Sequence, residues 1–192
     1  MRQYQYLLIS ILFLFFQSCA EKDNFQEYDL KTLGATIKLP GAYSPVNKER
    51  LNRILNHKED QGFKNELLSL IQRNKNVKML IDTINPYKYI IITEKVSYVK
   101  IDTILMYIQI DDERKKSSSR ADVNDSTYFV GSRLDSIGSF RFIECKHTRK
   151  SGNRRRIGYT FMISDDAHTS GISFFSPEEQ DARKYVKTIF KN

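Results

Sequence analysis

The chain has 192 residues, 40% of them apolar and 28% charged, with few Gly and Pro, which suits one globular domain plus a targeting segment and excludes wholesale disorder. Its formal charge of +8 permits attraction to phosphate-rich or acidic partners, or simply keeps a domain soluble. Two cysteines, Cys19 and Cys145, exclude a disulfide-stapled scaffold, and the 23 aromatic residues, all Tyr and Phe, fall in short alternating runs that favour sheet.

Residues 1–6, MRQYQY, form a short basic start, and Leu7–Phe16, LLISILFLFF, is apolar except for Ser10. Ten residues are half of the roughly twenty needed to cross a bilayer core and match the apolar region of a signal peptide. The run ends in Phe16-Gln17-Ser18-Cys19, which resembles the lipobox of bacterial lipoproteins, in the looser form tolerated in Bacteroidetes. The resemblance implies a signal peptide over 1–18, diacylglycerol on the Cys19 sulfur, and a further acyl chain such as palmitate on its freed amine. More than one chain is required because each buried methylene contributes only about 0.8 kcal/mol. An ordinary signal peptide with an incidental cysteine, or an uncleaved anchor, is the alternative. No Asp follows Cys19 directly, so the retention signal of enterobacterial inner-membrane lipoproteins is missing. The expected address is the cell envelope, at the outer membrane, with the periplasmic or surface face left open. Such an address makes nucleic acid the least fitting partner.

With Cys19 lipidated, 19–29 reads as a polar tether and 30–192 as a single α+β domain. Ala35, Ile37 and Leu39 alternate with polar residues, predicting a strand that Pro40-Gly41 ends. Two helical stretches follow, over 47–57 (Leu51, Ile54, Leu55) and 62–73 (Phe63, Leu67, Leu70, Ile71). Val77–Thr83 and Tyr87–Thr93 read as a hairpin around Asn85-Pro86. From Ile101 to Lys116 two periods compete. Ile101, Ile104, Leu105 and Ile108 fit a helix capped by Asp102, the preferred reading, whereas Ile104, Met106, Ile108 and Ile110 alternate as in a strand. Ser117–Asp125 reads as a polar loop.

Strands are predicted over 127–132, 139–148, 154–164 and 169–175, separated by turn signals at Asp135–Gly138, Ser151-Gly152-Asn153 and Asp165-Asp166. Short turns between successive strands imply an antiparallel meander. A closing helix is expected after Ser176 as N-cap, with Pro177 first and Glu179 completing a capping box. Its apolar stripe would be Ala182, Tyr185, Val186, Ile189 and Phe190. The expected fold is a mostly antiparallel sheet flanked by helices. The strand ATIKLP with its following GAY, and the C-terminal GISFFSPEEQDARKYVKTI, resemble the Mog1/PsbP-like fold over about residues 30–191. That resemblance implies an α/β/α sandwich and a binding role, since its members include bacterial lipoproteins and adaptor-like proteins, mostly without catalysis. It supplies no site residues.

Candidate chemistry is sparse. On a strand Cys145 and His147 share a face, the spacing of a Cys–His pair, with Arg141 or Lys146 near to stabilise a thiolate; a small half-buried residue is the plainer reading of Cys145. Asp165, Asp166 and His168 offer three metal-ligating groups but sit where a turn uses Asp for its own backbone, and Asp111-Asp112-Glu113 lacks an EF-hand pattern. His57 stands apart. No metal or cofactor is implied. The densest feature is cationic: Lys146, Arg149, Lys150, Arg154, Arg155 and Arg156 flank one predicted hairpin turn. Six charges there would attract an anionic headgroup or an acidic envelope protein, or else guard a solvated hairpin against edge pairing. The functional expectation is a membrane-tethered, non-catalytic binding or adaptor module. The alternatives are an immunity-type lipoprotein and an envelope hydrolase using carboxylates or Cys145.

Overall fold

The computed structural model describes residues 25–56, 61–73, 76–119, 125–151 and 154–191. The signal-like segment, Cys19, His57 and the Gly152-Asn153 turn lie outside the described residues. In chain order the elements are β1 (Phe25–Leu30), a 3-10 turn (Lys31–Leu33), β2 (Ala35–Pro40), β3 (Tyr43–Pro45), α1 (Lys48–Ile54) and α2 (Gln61–Arg73). Then come β4 (Val77–Asp82), β5 (Tyr89–Val96), α3 (Thr103–Ser119), β6 (Asp125–Ile137) and β7 (Phe140–Ser151). The chain closes with β8 (Arg154–Ser164), β9 (Thr169–Ser176), α4 (Arg183–Val186) and β10 (Phe190–Lys191).

Two antiparallel sheets result, one of order β1-β2-β10 and one of order β3-β4-β5-β9-β8-β7-β6. Because side chains alternate along a strand, β4, β5 and β9 of the large sheet feed two cores. Leu80, Ile90, Ile92, Phe161 and Phe174 face the small sheet and α4, where they meet Ile37, Leu39, Val186 and Ile189. Met79, Ile81 and Tyr89 face the other way, against Leu51 and Leu55 of the α1 region and Leu67 of α2. The Phe142, Phe161 and Phe174 rings interlock edge to face at 5.9 Å, each burial contributing about 1.5–3 kcal/mol. The architecture is an α+β sandwich with α1–α3 on one side of the main sheet and the small sheet with α4 on the other.

Three differences from the sequence reading have physical causes. Residues 25–29, read as the end of a tether, belong to β1, an edge strand whose Gln26, Glu27 and Asp29 need no burial because only one neighbour pairs with it. In α3 the helical reading holds, with Asp102 Oδ1 accepting from the Leu105 N–H at 3.0 Å, but Ile104 and Ile108 are 70% and 54% exposed. The helix continues through Ser119, and the rest of the expected loop up to residue 124 lies outside the described residues.

The closing helix differs most. Ser176 Oγ accepts from the Glu178 N–H at 3.1 Å in a local turn, and regular helix is confined to Arg183–Val186. Glu179 is drawn across the sheet instead of completing a capping box. Ala182, Val186 and Ile189 are buried and Tyr185 stacks on Phe174, whereas Phe190 leaves the stripe to pair with Thr36 in the small sheet. At the β6–β7 turn, Asp135–Ile137 remain in the strand and Gly138 takes φ of +56°, the left-handed region open to glycine.

Candidate functional site: the cationic hairpin and an adjoining polar cleft

The six expected cations divide between the two faces of the β7–β8 hairpin. Register sets Arg149 opposite Arg156 and Lys150 opposite Arg155. Arg149, Arg154 and Arg156 lie on the helix side, where Glu66 of α2 bridges the first and last, at 2.8 Å to Arg149 Nη1 and 3.1 Å to Arg156 Nη2. Arg156 also donates to the Tyr89 hydroxyl and lies 5.3 Å from the Phe63 ring centroid. Burial pushes the Tyr89 hydroxyl up to about 12, against the opposing pull of the Arg156 charge. Arg154 sits 5.0 Å over the Tyr87 ring. These three guanidinium groups therefore hold the hairpin to the body of the fold.

Lys146, Lys150 and Arg155 take the opposite face. Lys146 Nζ donates to both Glu179 oxygens at 2.8 and 2.9 Å, and the Tyr159 hydroxyl donates to the same carboxylate at 2.5 Å. The Lys146 hydrogen bond, then that of Tyr159, holds the Glu179 carboxyl below its usual range. Lys150 and Arg155 are exposed and directly opposed, and among the described residues neither has an ion pair. Like charges opposed across a ladder repel unless a counter-charge joins them.

On this same face a cleft of about 480 Å³ opens between the strands and the closing segment, lined by Gly131, Arg133, Glu144, Lys146, Gln180 and Arg183 among others. The bulge between Phe129 and Gly131 and the missing side chain of Gly131 leave the space. Arg183 Nη2 donates to Glu144 Oε2, its Nε donates to the same oxygen at 3.0 Å, and its Nη1 lies 3.5 Å from Asp135. The Ser136 N–H, helped by Arg183, keeps the Asp135 carboxyl below its usual range. Two donors are left over. Among the described residues the Gln180 Nε2 is buried with no hydrogen-bond partner, and Arg133 is exposed and makes no ion pair, its charge acting on Asp135 only at longer range. A buried amide donor without an acceptor is costly, and a ligand oxygen would satisfy it.

The other candidates resolve into local structure. Cys145 Sγ lies 3.5 Å from Ser132 Oγ and 3.7 Å from Gln109 Oε1, between β6 and α3. The His147 imidazole turns instead over Gly158 and meets Phe175 edge-on at 5.8 Å, and burial pushes its pKa down. Asp165 Oδ1 accepts from the Ala167 and His168 N–H groups at 3.1 and 2.8 Å, and its other oxygen lies 3.5 Å from Lys191. Asp166, with φ of 71°, and exposed His168 complete that turn. Asp111 pairs with Lys115 on α3. Sequence reasoning missed Glu66, Arg133, Glu144, Gln180 and Arg183. Only the Arg133–Glu144 register carried a signal, by counting back from the Gly138 turn.

No family model matches the chain, and no curated protein matches it. Among solved structures it is similar to the solution structure of cyanobacterial PsbP (CyanoP) from Synechocystis sp. PCC 6803, with a TM-score of 0.55 at 10% identity. The match covers 91% of this chain and 96% of that one. The protein thus has a PsbP-like fold; at that identity the likeness concerns fold alone.

Proposed function

We propose that the protein is a lipid-anchored, non-catalytic binding module of the cell envelope, tethered through Cys19, with the polar cleft beside the closing segment as its recognition site. The observation that carries this reading is the pair of unused donors in the cleft, the buried Gln180 amide and the Arg133 guanidinium. An extended segment of an envelope protein brings carbonyl and carboxylate oxygens that both can bind. Lipobox-like Phe16–Cys19 supports the tether, and the outer membrane is the proposed address.

Catalysis by the cleft carboxylates is less well supported. Of the carboxylates lining the cleft, Glu144 is tied to Arg183, and the neighbouring Glu179 and Asp135 are held low, whereas a general acid needs a raised pKa. Cys145 contacts Ser132 and Gln109 while His147 faces Gly158, so neither is placed to activate the other.

The test is affinity capture of the natively lipidated protein from its own membranes, run beside Cys19→Ala, Arg133→Glu and Gln180→Leu. The reading expects labelled palmitate on wild type and none on Cys19→Ala. It also expects a protein partner lost on both cleft substitutions and kept when exposed Lys48, on α1, is reversed. A partner retained by both cleft variants sinks the cleft assignment, and unlabelled wild type sinks the anchor.

A further inference from the structure

The tether proposed above has a direction. Gln26 Nε2 donates to the Gly41 carbonyl at 3.3 Å, which ties the start of β1 to the corner after β2. One residue on, the Ala42 carbonyl accepts from the Thr83 N–H at 2.9 Å, placing that corner against the β4–β5 turn. The same turn carries Tyr87, under the Arg154 guanidinium at the tip of the β7–β8 hairpin. Three separate pieces of chain thus share one end of the main sheet, and β1 begins there.

That end has an unusual surface. Ile84, in the β4–β5 turn, is 87% exposed, and Phe25 is 42% exposed. Beside the hairpin tip stands the opposed pair Lys150 and Arg155, neither in an ion pair among the described residues, with Glu179, already bound by Lys146, feeling the Arg155 charge only at longer range. The contrast with the reverse face of the same hairpin is direct, because there Glu66 bridges the equivalent pair, Arg149 and Arg156. Five residues separate Cys19 from Phe25. At about 3.3–3.6 Å per residue, that length of chain reaches no more than roughly 20 Å.

We propose that this end of the sheet is a membrane-facing surface, where Ile84 enters the headgroup layer and Lys150 with Arg155 binds the phosphates of anionic lipids. A lipid on Cys19 would hold these groups within the tether's reach of the bilayer, whose headgroup layer favours an exposed apolar side chain and whose anionic surface favours unpaired cations. The headgroup phosphates supply the counter-charge that Glu66 supplies on the other face. Glu144 and Arg133 lie six register steps from the Lys150 pair, about 20 Å along the strands, so the cleft stays clear of the surface. The inference rests on the anchor at Cys19 but assigns a different surface from the cleft.

The experiment uses the full lipidated protein carrying Cys145→Ala and a single fluorophore, at Ile84→Cys or at Ser136→Cys near the opposite end of the sheet. It is reconstituted in vesicles of phosphatidylethanolamine with or without phosphatidylglycerol, some lipids bearing a bromine quencher. Strong quenching at position 84, little at 136, and a fall at 84 on Lys150→Glu/Arg155→Glu or without phosphatidylglycerol is the expected result. Equal quenching at both positions, or none at 84 in vesicle-bound protein, overturns the surface while leaving the anchor standing. If Cys19 carries no lipid, the anchor reading fails separately, and sedimentation of the Cys19→Ala chain with phosphatidylglycerol vesicles decides the surface. Binding weakened about tenfold by the double reversal then upholds it, and no binding rejects it. A double reversal that removes a captured protein but leaves quenching at 84 unchanged assigns the pair to an acidic partner instead.

Discussion

His147 and Gly158 are register partners across β7 and β8, and the imidazole lies over the glycine so closely that a Cβ at 158 would meet Nε2 at 2.2 Å. The ring is held there because its other side meets Phe175. Gly158 is thus a packing requirement of this histidine, and the pair explains why Cys145 and His147, two residues apart on one strand face, stay in separate contacts.

Gly158→Ala should lower the urea unfolding midpoint by the equivalent of about 1–3 kcal/mol, the usual cost of overpacking a filled interior. The loss should be partly recovered in Gly158→Ala/His147→Ala, because the two sites are coupled. Strict additivity of the two substitutions would show that the ring is not held over residue 158.

Glu66→Gln leaves Arg149 and Arg156 opposed without a shared carboxylate. The expected loss is about 1–3 kcal/mol at unchanged denaturant slope, since the hydrogen bonds from both arginines lose their charge, one acceptor oxygen becomes an amide donor, and Arg156 is mostly buried. By contrast, Lys150→Glu/Arg155→Glu, on the exposed face, should leave the midpoint within about 0.5 kcal/mol. Equal losses in the two variants would contradict the division of the cations between faces.

The pH dependence of stability should show two windows. His147 has its pKa lowered from 6.5 by burial, so the unfolded chain binds this proton more readily than the folded one. Its contribution is fully present above 6.5 and is lost as pH falls from there through the depressed folded value. The lowered carboxylates, Glu179, Asp135 and Asp165, act only further down, below their ordinary values of 4.5 and 3.8. Chemical denaturation between pH 8 and 5 should therefore give a slope that His147→Gln removes. A slope unchanged in that variant would mean that the imidazole titrates as freely folded as unfolded.

Cys145→Ala should cost less than about 1 kcal/mol and leave capture through the cleft intact, because the contacts of its thiol with Ser132 and Gln109 are long and lie on the face of β7 opposite the cleft. Loss of any measured activity in this otherwise stable variant would move the protein to the enzyme class.

Features set by near neighbours were legible. The alternation of Ile157, Tyr159, Phe161 and Ile163 announces β8, and the Asp165 turn follows from a side chain serving its own backbone. β1 was not legible, because an edge strand needs few apolar residues. The helix of α3 could be read, but not its orientation, since Ile104 and Ile108 point away from the sheet despite their apolar period. Glu179 carried a capping-box signal, but Lys146 and Tyr159 compete for its carboxylate and win.

By itself, then, the sequence determined the period of most elements, the antiparallel meander and the cluster of cations around one hairpin, and it raised the expectation of a lipid on Cys19. Only the tertiary structure decided which cations are free. Arg149 and Arg156 share one carboxylate, 83 and 90 residues away, and the cleft forms only where the closing segment crosses β6–β8. The physical reason is range. Backbone geometry and side-chain alternation act over a few residues, whereas ion pairing and burial depend on which distant elements the packed layers bring together.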